Sequence, residues 1–122
     1  MNIGYIILGH GSRASEANES LKLIANLVTE KLDSQNVKVA YMGLCEPTLE
    51  AATEELVNSG CGKIIIMPFF LYRGIHLQED IPAKITSLTE KHDGKVVINF
   101  AKHIGVDDRL ADIVVDRIKG VS

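Results

Sequence analysis

Two histidines in this 122-residue chain follow apolar runs and sit among groups that handle charge. His10 stands in Gly9-His10-Gly11-Ser12-Arg13, directly after Ile3-to-Leu8. His76 follows Ile64-Ile65-Ile66-Met67-Pro68, the aromatic segment Phe69-Phe70-Leu71-Tyr72, then Arg73 and Gly74, and it precedes Glu79 and Asp80 by three and four positions. Neutral imidazoles suit borderline divalent cations such as Fe, Co, Ni or Zn, and they accept protons near neutral pH. Either histidine alone reads as an ordinary loop residue. Two of them, each just past the end of its own buried strand and with those strands adjacent, read as a pair facing one crevice.

The surrounding residues extend that chemistry. Gly9-His10-Gly11-Ser12-Arg13 ahead of a helix offers backbone N–H groups, a hydroxyl and a guanidinium, a combination that holds anions, although a tight turn would use the same glycines. No GK[ST] follows, and the pattern is not GxGxxG. A flavodoxin-like site for a phosphorylated cofactor would explain this loop but leave His76 idle. Arg13 and Arg73 are candidates to pair with a carboxylated ligand. Glu79 or Asp80 could orient the His76 imidazole, and Asp80 also reads as the N-cap of a helix with Pro82 in its first turn. Phe69, Phe70, Leu71 and Tyr72 supply either an apolar wall or core. His92, beside Lys91 at a helix end, fits a cation complementing the helix dipole, and His103 is peripheral.

Elements of two periods must position these residues. Ile3 to Leu8 and Ile64 to Met67 are short continuous apolar runs, as in strands covered on both faces. Val37, Val39 and Tyr41 alternate with other residues, and Val96, Val97, Ile98 and Phe100 make a fourth strand. Between and after them, apolar residues recur at steps of three and four: Ala17, Leu21, Ile24, Ala25, Val28, Leu32; Leu49, Ala52, Leu56, Val57; Ile81, Ile85, Leu88; and Leu110, Ile113, Val114, Ile118, each stripe predicted to face inward. Ser15 is the predicted N-cap of the first helix, Glu46-Pro47 the start of the second and Gly60 its end. Strand and helix alternate four times, which predicts one α/β domain over residues 1–122, a three-layer α/β/α fold with a four-stranded parallel sheet in the flavodoxin-like order 2-1-3-4. The switch point then lies between strands 1 and 3, beside His10 and His76.

Composition narrows the classes of function. Hydrophobic residues make up 46% and charged residues 24%, with a formal net charge of −3 and no long basic cluster, so a nucleic-acid footprint is absent. No apolar run approaches the roughly 18 residues of a membrane span, and no leader pattern opens the chain, so a cytoplasmic protein without a membrane partner is expected. Cys45 and Cys61 form neither a disulfide framework nor a CxxC pair.

Taken together, L-G-H-G-S-R with Asn18 downstream, E-P-T-L at Glu46 to Leu49, P-F-F-L-Y-R-G-I-H-L-Q-E-D-I-P and I-G-V-D-D-R-L resemble the small class II sirohydrochlorin chelatases of the CbiX, SirB and CfbA type, over the whole chain and in order. The resemblance implies insertion of a divalent metal, Co²⁺, Ni²⁺ or Fe²⁺, into sirohydrochlorin, on the way to cobalamin, a nickel tetrapyrrole coenzyme or sirohaem. The metal is then a substrate, and no organic cofactor is implied. The family's motif histidines, which handle metal and protons, fall on His10 and His76, and short members resemble one half of longer two-lobed chelatases and are expected to act as homodimers. The macrocycle's carboxylates would meet the loop of Gly9 and Gly11, Ser12 and an arginine, Arg13 or Arg73, and Phe70, Leu71 and Tyr72 would supply an apolar wall, with Gly74 beside them.

One position departs from the family pattern. Many members carry a glutamate three residues before E-P-T, where this chain has Gly43. Glu46 is retained but alternates away from position 43, whereas Cys45 shares its face and is a candidate thiolate ligand. A chain lacking that carboxylate has a rival reading, as a tetrapyrrole or metal carrier that no longer turns over.

Overall fold

The protein is described by a computed structural model covering residues 2–43, 45–72 and 74–122, with only the backbone described at 75–78. The elements run β1 (Asn2–Gly9), α1 (Ser15–Leu32), β2 (Val37–Tyr41), α2 (Leu49–Asn58), β3 (Cys61–Pro68), α3 (Ile75–Lys91), β4 (Val97–Phe100) and α4 (Asp108–Lys119). All strand pairs are parallel, in the order β2-β1-β3-β4, as the alternating periods predict.

Alternation along the strands divides the core. Ile6 and Leu8 of β1, Ile64 and Ile66 of β3 and Ile98 of β4 point to one face, where Leu49, Ala52 and Leu56 of α2 and Leu88 of α3 cover them. On the other face Ile7 and Tyr41 pack under Leu21 and Ala25 of α1. Pro68 is the last β3 residue to pair, opposite Leu8, as suits a residue with no N–H to donate.

Four local expectations give way. Helix α1 begins at Ser15 itself, with Ala14 at the cap position and no side-chain cap bond. Helix α2 begins after Glu46-Pro47, which is a cis peptide, and Thr48 caps it by accepting the Ala51 N–H at 3.1 Å. Helix α3 starts at Ile75, so Asp80 lies inside it, exposed, and Pro82 is its eighth residue. Gly74 holds the cap position with extended backbone angles, and the early helical turn forms without a capping side chain. The fourth concerns α4. Asp107 caps it by accepting the Arg109 N–H, but its apolar stripe does not face inward: none of its residues is buried. Ile65 and Met67, predicted to be covered on that side, are only half-buried, because no helix lies over them.

Candidate functional site

Three loops meet at the C-terminal edge of the sheet. The Gly9 carbonyl accepts the Met42 N–H at 2.9 Å and the Leu8 carbonyl accepts the Phe69 N–H at 2.7 Å, so the segments after β2 and β3 are tied to the last residues of β1. The loop after β4 reaches the same place, where the Phe70 carbonyl accepts the Gly105 N–H. His10 emerges at this junction, exposed, one residue past β1.

The His10 ring lies against the buried Phe70 ring, with centroids 4.1 Å apart and planes tilted by 35°. That contact leaves His10 on the rim of two recesses. One, of about 620 Å³, is walled by Met42, Phe69, Phe70, Leu71, Tyr72 and Gly74. The other, of about 210 Å³, lies over Gly9, Gly11, Ser12, Asn18 and Tyr41. The larger falls in the size range of small-molecule sites and is largely apolar. Leu71 and Tyr72 are exposed on its wall.

The glycine loop is held by Asn18, a residue of the helix downstream of the L-G-H-G-S-R segment. Asn18 accepts the Ser12 N–H at 3.1 Å and donates to the Ser12 carbonyl at 2.7 Å, closing the loop back onto α1. The Tyr41 hydroxyl in turn donates to the Asn18 carbonyl at 3.0 Å. Burial holds the Tyr41 phenol above its ordinary value, and Cys45 and Glu19 add to the effect. Ser12 also accepts the Ala14 N–H through its hydroxyl. The Ser12 amide is therefore engaged within the loop, which removes one of the anion donors counted from the sequence. A polar amide on the sheet-facing flank of an amphipathic helix was the signal for Asn18.

Gly11 has φ +88°, and a Cβ there would overlap the Gly43 carbonyl oxygen. The His10 loop and the segment after β2 thus touch backbone to backbone. A Cβ at Gly43 would meet nothing within 4 Å.

The remaining candidates divide. Gly9, Gly11 and Ser12 line the smaller recess, and Phe70, Leu71, Tyr72 and Gly74 the larger. Arg13 is exposed on the loop and lines neither. Arg73 and the side chain of His76 lie outside the described residues. The His76 backbone is in the first turn of α3, with exposed Glu79 and Asp80 one turn further on the same helix. Cys45 packs half-buried against the Ile7, Leu21, Ala25 and Tyr41 cluster, and Glu46 is exposed. His92 takes the C-cap position of α3, and its Nε2 is buried without a partner. His103 lines a separate recess with Lys102, Asp107 and Arg109. Among the described residues no three His, Cys, Asp or Glu side chains cluster closely enough to hold a metal, and no helix is long and apolar enough to cross a membrane.

The chain is similar to several known proteins. A sirohydrochlorin cobaltochelatase of Methanopyrus kandleri is 33% identical, over 96% of this chain and 95% of its own. The chloroplastic sirohydrochlorin ferrochelatase of Arabidopsis thaliana is 34% identical, over 95% of this chain but 51% of its own. The crystal structure of SirB from Bacillus subtilis subspecies spizizenii in complex with cobalt superimposes with a TM-score of 0.89 at 26% identity, over 99% of this chain and 51% of that one. The CbiX family model matches residues 4–121, and so the chain belongs to the CbiX family.

Proposed function

We propose that the protein is a sirohydrochlorin chelatase, inserting a divalent metal into the macrocycle and releasing two protons. The observation that carries this reading is the position of His10, stacked on Phe70 at the rim of the apolar 620 Å³ recess in a chain related to a cobaltochelatase and a ferrochelatase. Sirohydrochlorin must lose two inner N–H protons as M²⁺ enters, so the site needs lone pairs that hold the cation beside the ring and then accept protons. His10 and His76 take those roles. Phe70, Leu71 and Tyr72 would cover one face of the ring. Arg13 and Arg73 would pair with its carboxylates, and Gly9, Gly11, Ser12 and Gly74 would line its approach. Glu79 or Asp80 would orient His76.

Co²⁺, Ni²⁺ and Fe²⁺ are all candidate substrates, because imidazole ligation separates them poorly. The chain would act in the cytoplasm as a homodimer, with no nucleic acid or membrane partner. One rival is a chain that binds macrocycle or metal without turnover, since Gly43 supplies no carboxylate at the position where the family resemblance implies one.

An anaerobic absorbance assay of sirohydrochlorin with each metal, against a no-enzyme control, tests both readings. Acceleration abolished in His10→Ala and His76→Ala supports the chelatase. A spectral shift on binding without acceleration supports the carrier.

A further inference from the structure

His10 belongs to a row of residues that crosses the C-terminal edge of the sheet. Gly9 pairs with Tyr41 and Leu8 with Pro68, and the Met42 and Phe69 N–H groups carry the two ladders one residue further. Counting on from those pairs sets His10 between Met42 and Phe70. The two neighbours differ in firmness. Met42 is 41% exposed and has a flexible, unbranched side chain. Phe70 is 6% exposed, and its backbone carbonyl is held by the Gly105 N–H.

Phe70 is buried without being part of the core. It belongs to neither of the two core clusters, whereas the larger recess and the His10 ring both lie against it. With centroids 4.1 Å apart and planes tilted by 35°, the two rings meet by their faces, closer than the roughly 4.5–7 Å usual for aromatic pairs. The lone pair and the N–H of an imidazole lie in the plane of its ring. A contact made by the face therefore leaves both nitrogens at the ring edge, and it restricts the rotations that an exposed histidine would otherwise sample. Histidines that hold metals usually take their orientation from a hydrogen bond donated by the second nitrogen. Among the described residues His10 makes no such bond.

We infer that Phe70 is the positioning residue of His10, aiming the imidazole by ring stacking where a carboxylate or carbonyl would ordinarily aim it by a hydrogen bond. This role is separate from the wall that Phe70 forms with Leu71 and Tyr72, and it rests on the metal-holding role proposed for His10. Stacking suits that role, because it spends neither nitrogen on the protein.

Calorimetric titration of the full chain with Co²⁺, without macrocycle, is the first test. Phe70→Leu keeps an apolar side chain but removes the ring, and should weaken Co²⁺ binding by about tenfold. Phe70→Tyr keeps the ring and should restore it. Leu71→Ala trims the wall of the same recess but leaves the stacked ring in place. It should bind Co²⁺ as the wild type does, while raising the KM for sirohydrochlorin in the insertion assay. Wild-type affinity in Phe70→Leu overturns the inference, as does an equal loss in Phe70→Tyr or in Leu71→Ala. His10→Ala separates the two readings. If it binds Co²⁺ as well as the wild type, or if the wild type binds none, the metal-holding role of His10 falls and that of Phe70 with it. A loss in His10→Ala with none in Phe70→Leu removes the role of Phe70 alone.

Should Phe70→Leu fail to fold, the wild type decides. In NMR spectra of protein loaded with paramagnetic Co²⁺, with Zn²⁺ as the diamagnetic reference, the Phe70 ring protons should be strongly shifted, since the stack keeps them beside the bound ion. Unshifted Phe70 protons would mean that the two rings part when metal binds, which overturns the inference.

Discussion

The Gly43 carbonyl oxygen occupies the place where a side chain at Gly11 would begin. Because Gly11 also has φ +88°, backbone conformation and contact both exclude a side chain at the centre of the His10 loop.

Gly11→Ala should therefore destabilise the fold by about 1–3 kcal/mol, read from urea denaturation, and should depress metal insertion more than stability explains. An unchanged insertion rate would show that the loop geometry is not what presents His10.

At Gly43 the expectation is opposite. A Cβ there meets nothing within 4 Å and the position is exposed, so Gly43→Glu should change stability by no more than about 0.5 kcal/mol. Calorimetric titration with Co²⁺ should show tighter binding, because a carboxylate enters beside the loop that carries His10. Weaker or equal binding would mean that position 43 does not face the metal.

Asn18 holds the loop through two hydrogen bonds to Ser12. Asn18→Ala should cost about 1–3 kcal/mol, as lost partners in a half-buried setting do, and slow insertion by up to about 10²-fold through displacement of His10. Stopped-flow absorbance under saturating metal and macrocycle separates the two effects. A stability loss with full activity would make Asn18 a structural clamp only.

Leu56 is fully buried, and its methyl groups lie against the backbone of Gly4. Leu56→Ala should cost about 2–5 kcal/mol, measured by thermal unfolding, without altering the metal preference of the enzyme.

The Glu50 carboxyl lies below its ordinary value. Burial opposes the shift, but a backbone hydrogen bond, the Lys84 ammonium at 3.0 Å and the charge of Lys91 outweigh it. A carboxyl depressed in the folded state adds stability above its unfolded value of 4.5 and loses it as pH falls below that value. Both side chains are about 40% exposed, so solvent screening limits the pair to about 1 kcal/mol or less. Lys84→Met should narrow the stability difference between pH 7 and pH 3, and added salt should shrink the effect. An unchanged pH profile would remove Lys84 as the cause.

The sequence by itself determined the order of the elements, the strand order and the place of His10. Each follows from periodicity: short β-branched runs such as Ile64-Ile65-Ile66 favour strands, the stripes between them favour helices, and right-handed crossovers leave few ways to connect the two. Tertiary structure decided what depends on contacts between distant residues. The bonds between Asn18 and Ser12, and the contact of Gly11 with Gly43, belong to loops that meet only when the sheet forms. The start of α3 at Ile75 rather than near Asp80 reflects a helical turn built with no cap residue to announce it. The stripe of α4 was legible as amphipathic, but amphipathicity says only that a helix has an apolar face. Whether its own core receives that face is set by where the chain leaves β4, and here the chain carries it away from the sheet.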